Sequence, residues 1–120
     1  MRRASRLIGI VAAAIACSSR DESRLVPGAS VGAGKTAIEH FSCGACHEIR
    51  GVPGADGKIG PPLNGILQRT LIGGELPNSV ANLVAWIRNP QAIEPRTAMP
   101  DLGVDDATAR NIVAYLYSLH

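Results

Sequence analysis

Aromatic side chains are nearly missing from this chain: Phe41, Trp86, Tyr115 and Tyr117 are the whole supply in 120 residues. Large rings dominate the burial energetics of most cores, so the core must come from aliphatic residues or from something that is not protein. Cysteine is also sparse. Cys17, Cys43 and Cys46 make an odd count, which excludes a framework of paired disulfides as the source of stability. No apolar run approaches the roughly 20 residues that span a bilayer; Leu7 to Ala16 stops at about half of that. Alternating apolar and polar residues are absent over any useful length, so no strand is expected. Internal repeats are absent as well.

The N-terminal residues read as an export signal. Arg2, Arg3 and Arg6 precede the apolar run, and Ala14-Ile15-Ala16 fits an A-x-A cleavage site. Removal of that segment moves the formal charge from +2 to −1. No basic stripe remains, and nucleic acid is not an expected partner. Ala14-Ile15-Ala16-Cys17 also has the form of a lipoprotein box, followed by Ser18 and Ser19. Lipid on Cys17 would explain the odd cysteine and would hold the protein at the periplasmic side of a bacterial cell envelope. Ser18 to Gly34 is rich in Ser, Gly and charge. It is expected to be a tether, with a random-coil reach of about 20–25 Å. The expected organisation is a signal peptide over 1–16, the lipidated Cys17 and tether over 17–33, and one domain over 34–120.

Within that domain the helical signals are local and capped. Ala37, Ile38 and Phe41 suggest a short helix over 35–41. Val80, Leu83, Val84 and Ile87 follow helical spacing after Ser79 or Asn78, and Pro90 ends that helix. Pro90 to Gly103 is expected to be an extended loop. Asp105 caps a final helix whose buried stripe is Ala109, Ile112, Val113 and Leu116. Gly51 to Gly60 and Gly60-Pro61-Pro62 cannot be helix interior. The expected fold is all-α, with three to five short helices.

Cys43-x-x-Cys46-His47 is the motif that carries chemistry. Two thiols one helical turn apart span the two vinyl groups on one edge of a porphyrin, and the adjacent imidazole then falls beneath the iron as proximal ligand. The rival readings fit less well. A thioredoxin-like C-x-x-C needs a preceding strand in a βαβ pattern. A zinc site needs four ligands in tetrahedral array, and only His40 and His120 remain as extras. A Cys43–Cys46 disulfide leaves His47 without a role. For the opposite face of the iron, Met99 stands in a loop between Ala98 and Pro100, and once the signal is removed no other methionine is left. His40 lies too close to the attachment site to reach that face, and His120 is the terminal residue. Gly32-Ala33-Gly34-Lys35-Thr36 imitates a phosphate-binding loop, but Ala29 stands where the first glycine is needed and no strand precedes it.

Four motifs in order then produce a resemblance over roughly residues 34–119. Cys43-x-x-Cys46-His47, Gly60-Pro61-x-Leu63, Trp86-Ile87-x-Asn89-Pro90 and Pro95-x-Thr97-x-Met99-Pro100 resemble the class I, mono-heme cytochromes c. Ala114-Tyr115-Leu116 is similar to their final helix. Cys46-His47-x-Ile49-Arg50-Gly51, Arg69-Thr70-Leu71 and Leu83-x-x-Trp86-Ile87 are closest to the cytochrome c domain fused to subunit II of bacterial heme–copper oxidases. The resemblance implies one covalent heme c and no enzyme activity of its own. It implies that the Pro61 carbonyl accepts from His47, that Arg69 and Trp86 lie near a heme propionate, and that Thr97 bonds the second propionate or orders the Met99 loop. The implied role is a single-electron carrier of a respiratory chain, delivering to a terminal oxidase. Its redox partners would be a quinol–cytochrome c reductase and that oxidase, or alternatively a periplasmic dehydrogenase as donor. The likeness departs from pattern in places. Ile38 stands where an aromatic follows Gly34 in many members, Arg96 replaces a common glycine, and no dinuclear-copper cluster of Cys, His and Met is present. A stand-alone cytochrome is therefore expected, with only Lys35 and Lys58 available for steering.

Overall fold

A computed structural model describes residues 25–120. The signal segment, Cys17 and the first part of the tether lie outside the described residues.

Ser30, not Lys35, opens the first helix. Its hydroxyl accepts from Ala33 N at 3.1 Å, and α1 runs Val31–His40. The expected helix over 35–41 thus begins four residues early, and the stretch assigned to a tether is partly folded: Val26 is fully buried and Ser30 N donates to Asn111 Oδ1 at 2.8 Å. The glycines that suggested flexibility do a different job. A Cβ at Gly34 would fall 1.9 Å from the carbonyl oxygen of Asn111, so glycine there lets α1 cross the last helix at backbone contact. The phosphate-loop look-alike is simply helix, with Thr36 Oγ1 donating to the Gly32 carbonyl at 3.2 Å.

That last helix, α4 (Asp106–Tyr117), is capped by Asp105, which accepts from Thr108 N at 2.8 Å. Ala109, Ile112, Val113 and Leu116 are all buried, as their spacing predicts, and Ala114, Tyr115 and Tyr117 join them. Between the two helices in sequence lies α2 (Val80–Arg88), capped by Ser79 through Asn82 N at 3.1 Å and burying Leu83, Val84 and Ile87. Its C-terminus packs on toward a one-turn helix, α3 (Pro90–Ile93), capped by Asn89 through Ala92 N at 3.1 Å. The extended loop expected from Pro90 onward therefore starts later. Proline ends α2 because it lacks an N–H, and for the same reason it is well placed at the first position of α3.

A second correction concerns strands. Leu71–Ile72 (β1) and Leu76–Pro77 (β2) pair antiparallel, with Leu71 opposite Pro77 and Ile72 opposite Leu76. Two residues per strand are too few to show an alternating pattern. The architecture remains all-α: α1 and α4 cross, α2 lies against α4, and residues 41–79 and 94–105 close the remaining side with loops and single 3-10 turns.

Candidate functional site

The chain leaves α1 through a forced turn. Ser42 adopts the left-handed conformation at φ 55°, and Cys43–Ala45 then make one 3-10 turn. Cys46 N and His47 N both donate to the Cys43 carbonyl, at 3.3 and 3.1 Å. This turn brings both thiols and the imidazole to one cavity of about 710 Å³. Both thiols are free. Burial pushes the Cys43 thiol above its ordinary range, and the neighbouring Cys46 adds to the shift while a backbone hydrogen bond opposes it.

His47 Nδ1 lies 2.7 Å from the Pro61 carbonyl oxygen. A carbonyl can only accept, so Nδ1 carries a proton, and in the neutral ring Nε2 is the nitrogen with the lone pair. The loop that supplies the carbonyl fits closely around the ring. A Cβ at Gly60 would fall 2.3 Å from His47 Cε1. Gly60 N donates to the Cys46 carbonyl at 2.8 Å and Leu63 N to the Glu48 carbonyl at 2.9 Å, which stitches 60–63 onto the attachment turn. On the same loop Lys58 Nζ binds Glu48 Oε2 at 2.9 Å, and this hydrogen-bonded carboxylate holds the lysine's pKa above its usual range.

Met99 lines the same cavity, as do Thr97, Arg69, Trp86 and Pro61. Thr97 Oγ1 accepts from Met99 N at 3.2 Å, so this threonine orders the methionine's own backbone. Arg69 Nη2 donates to the Pro62 carbonyl, which ties the arginine to the proline loop and leaves its other N–H groups for a further acceptor. Trp86 is half-buried, and its ring covers Gly73 of the hairpin. His40 is exposed and packs edge-on against Phe41, centroids 4.9 Å apart. Neither His40 nor His120 lines the cavity.

Two contributors were not legible in the sequence. Gln91 Nε2 donates to the Met99 carbonyl at 2.6 Å; only recognition that α3 begins at Pro90 would have turned that side chain toward the loop. Asn78, considered above only as a cap, instead reaches several carbonyls of the segment that carries Arg69.

The residues suit an apolar, disc-shaped iron macrocycle held through its rim and its metal. The walls are aliphatic, with Ile38, Leu83, Ile87 and Ile112 among them. One imidazole has a fixed tautomer and a free lone pair, one thioether stands in the same cavity, and two thiols are available for covalent attachment. Soft sulfur and borderline nitrogen are donors that iron in a porphyrin accepts. Among the described residues no group of three or more His, Cys, Asp or Glu side chains comes together, so the four-ligand arrangement that structural zinc requires is not formed there. No helix among them is long and apolar enough to cross a membrane.

Comparison with known proteins agrees with this chemistry. Residues 31–120 match the family described as cytochrome c. A curated relative, cytochrome c oxidase subunit 2 of Alkalihalophilus pseudofirmus, is 37% identical over 89 residues, which cover 72% of this chain and 25% of that protein. The chain thus spans about a quarter of the relative's length. No solved structure matches it.

Proposed function

The chain belongs to the cytochrome c family, carries one covalent heme c and serves as an electron carrier; from that premise we propose that it delivers single electrons to a terminal oxidase, with His47 and Met99 as the residues that would hold the heme iron. When bound, the heme supplies a one-electron iron couple. The chain's residues do the rest. Cys43 and Cys46 would anchor the macrocycle by thioether bonds, each thiol adding S–H across a vinyl C=C. Pro61 holds the His47 proton on Nδ1, which orients the ring and strengthens Nε2 as a donor. Thr97 and Gln91 hold the backbone of Met99 from both sides. Arg69 and Trp86 would lie near a heme propionate, and the unused guanidinium donors would match its carboxylate. With imidazole and thioether both engaged, no position is left for a substrate to ligate, which suits electron exchange and not bond-making chemistry.

The observation that carries this reading is the shared cavity: His47 and Met99 line it together with both thiols, and the other two histidines do not. The relative's name supports an oxidase as acceptor. Cys17, by its lipoprotein-like box, is proposed as the lipid-bearing anchor at the periplasmic face of a bacterial membrane. Anchoring would raise the effective concentration at a membrane-bound acceptor. The cavity rim fits that mode of approach, because Ile59, Leu71 and Leu102 are exposed there and Lys58 is already paired.

Voltammetry and carbon monoxide titration of the purified holoprotein test the proposal together. A reversible one-electron wave and no carbon monoxide uptake by the reduced protein are expected. Rapid uptake would mean that one axial position is open, and the carrier reading would fall.

A further inference from the structure

Asn78 uses its backbone N–H and both ends of its carboxamide. Its backbone N–H donates to the Thr70 carbonyl at 2.9 Å. Its side-chain NH2 donates to the Ile66 carbonyl at 2.8 Å and to the Arg69 carbonyl at 2.9 Å, and its Oδ1 accepts from the Tyr117 hydroxyl at 2.7 Å. Tyr117 is only 4% exposed, in the last turn of α4. A single side chain therefore staples the two ends of the 66–69 turn together and fastens that turn to the rigid terminal helix. Only a carboxamide does this at such a size, since aspartate lacks the two donors and leucine lacks everything.

The turn so fastened and the β1 strand that follows it form a wall of the cavity: Ile66, Arg69, Leu71 and Ile72 all line it. Arg69 is gripped at both ends, its carbonyl by Asn78 and its guanidinium by the Pro62 carbonyl. An arginine side chain is rich in rotamers, so a free one would spend little time against any single acceptor. Anchoring its backbone removes one source of that freedom.

We propose that Asn78, seated by Tyr117, is a positioning residue that holds the Arg69 guanidinium at the cavity and thereby raises the reduction potential of the bound heme. The inference rests on the reading of Arg69 as a propionate partner given above. The sign follows from electrostatics. Carboxylate charge near the iron favours the more positive ferric state, and a fixed cation that offsets it favours the ferrous state. Loosening Arg69 weakens that offset and lowers the potential. A scaffold role alone would lower thermal stability and leave the potential where it was.

The test is a double-mutant cycle on the full holoprotein, reading reduction potential and melting temperature for Arg69→Ala, Asn78→Ala, Tyr117→Phe and the Arg69→Ala/Asn78→Ala pair. Arg69→Ala is expected to lower the potential, Asn78→Ala to lower it by at least half as much, and Tyr117→Phe by less in the same direction. The pair should match Arg69→Ala alone, because Asn78 acts through Arg69. If Asn78→Ala fails to load heme, Tyr117→Phe with and without Arg69→Ala carries the same comparison. Asn78→Ala and Tyr117→Phe melting lower at unchanged potential, or a pair whose shift is the sum of the singles, overturns the inference while leaving Arg69 in place. An unchanged potential in Arg69→Ala overturns the propionate reading itself, and the inference with it.

Discussion

The crossing of α1 and α4 and the loop-built half that holds the cavity solve the same packing problem in opposite ways. The crossing is protein against protein: Gly34 meets the Asn111 backbone directly, and Ala109, Val113 and Ala114 are fully buried beside it. The loop half adds Ile49, Val52, Ala55, Ile66 and Ile72 to the core, and it is held as well by polar ties: Pro61 to His47, Asn64 to Arg50 and Glu48, Gln91 and Thr97 to Met99. Ile49, Ile66 and Ile72 also line the cavity. In a chain with four aromatic residues, that cavity is the part of the interior left for the cofactor to fill.

The comparison breaks hardest where the cofactor is refused. Replacing Cys43 and Cys46 together with alanine should abolish covalent heme and unfold the loop half. Amide hydrogen exchange should show that any protection left is confined to α1 and α4; full protection over residues 43–103 would mean that the loops hold themselves. Gly34→Val attacks the other side. Its side chain has no room beside Asn111, so the helices must separate, at a cost of about 3 kcal/mol by denaturant unfolding, with heme still attached. A milder strike on the loops is Gly60→Ala. The new methyl would crowd the His47 ring, and a loop yields more readily than two crossed helices. A smaller stability loss than for Gly34→Val, accompanied by a shifted reduction potential, is expected; unchanged potential would separate Gly60 from the imidazole's placement.

The smallest effect belongs to the cap of α4. The Thr108 backbone N–H, first among several favourable contacts, holds the Asp105 carboxyl below its usual range. A lowered folded pKa stabilises above the unfolded value of about 3.9, and that stability is lost as pH falls through the lower folded value. Asp105→Asn keeps an acceptor at the cap and removes the titration. Acid unfolding curves should therefore be flatter for the variant below about pH 4, and curves that superimpose would remove Asp105 from the acid response.

What was legible in the sequence follows the same division. The stripe of α4, the cap at Ser79 and the motif from Cys43 to His47 are set by residues within one or two turns of each other, and the structure places them as their spacing implies. Met99 is reached by elimination, and the structure puts it in the lining of the same cavity as His47. The early start of α1 was hidden because Gly32 and Gly34 read as flexible, and only the approach of Asn111, 77 residues away from Gly34, gives Gly34 a packing role. The hairpin was too short for a period, and Pro90 has the same appearance whether it ends a helix or begins one. Gln91 and Asn78 act through carbonyls of distant segments, and a backbone acceptor leaves no mark in sequence.

The central claim, thioether and imidazole on the same iron, has one direct measurement: the absorption spectrum of the ferric holoprotein beside that of Met99→Ala. The account predicts a sulfur-to-iron charge-transfer band in the wild type that disappears in the variant while the covalent heme remains. A wild type without the band, or a variant that keeps it, would contradict the ligation on which the account stands.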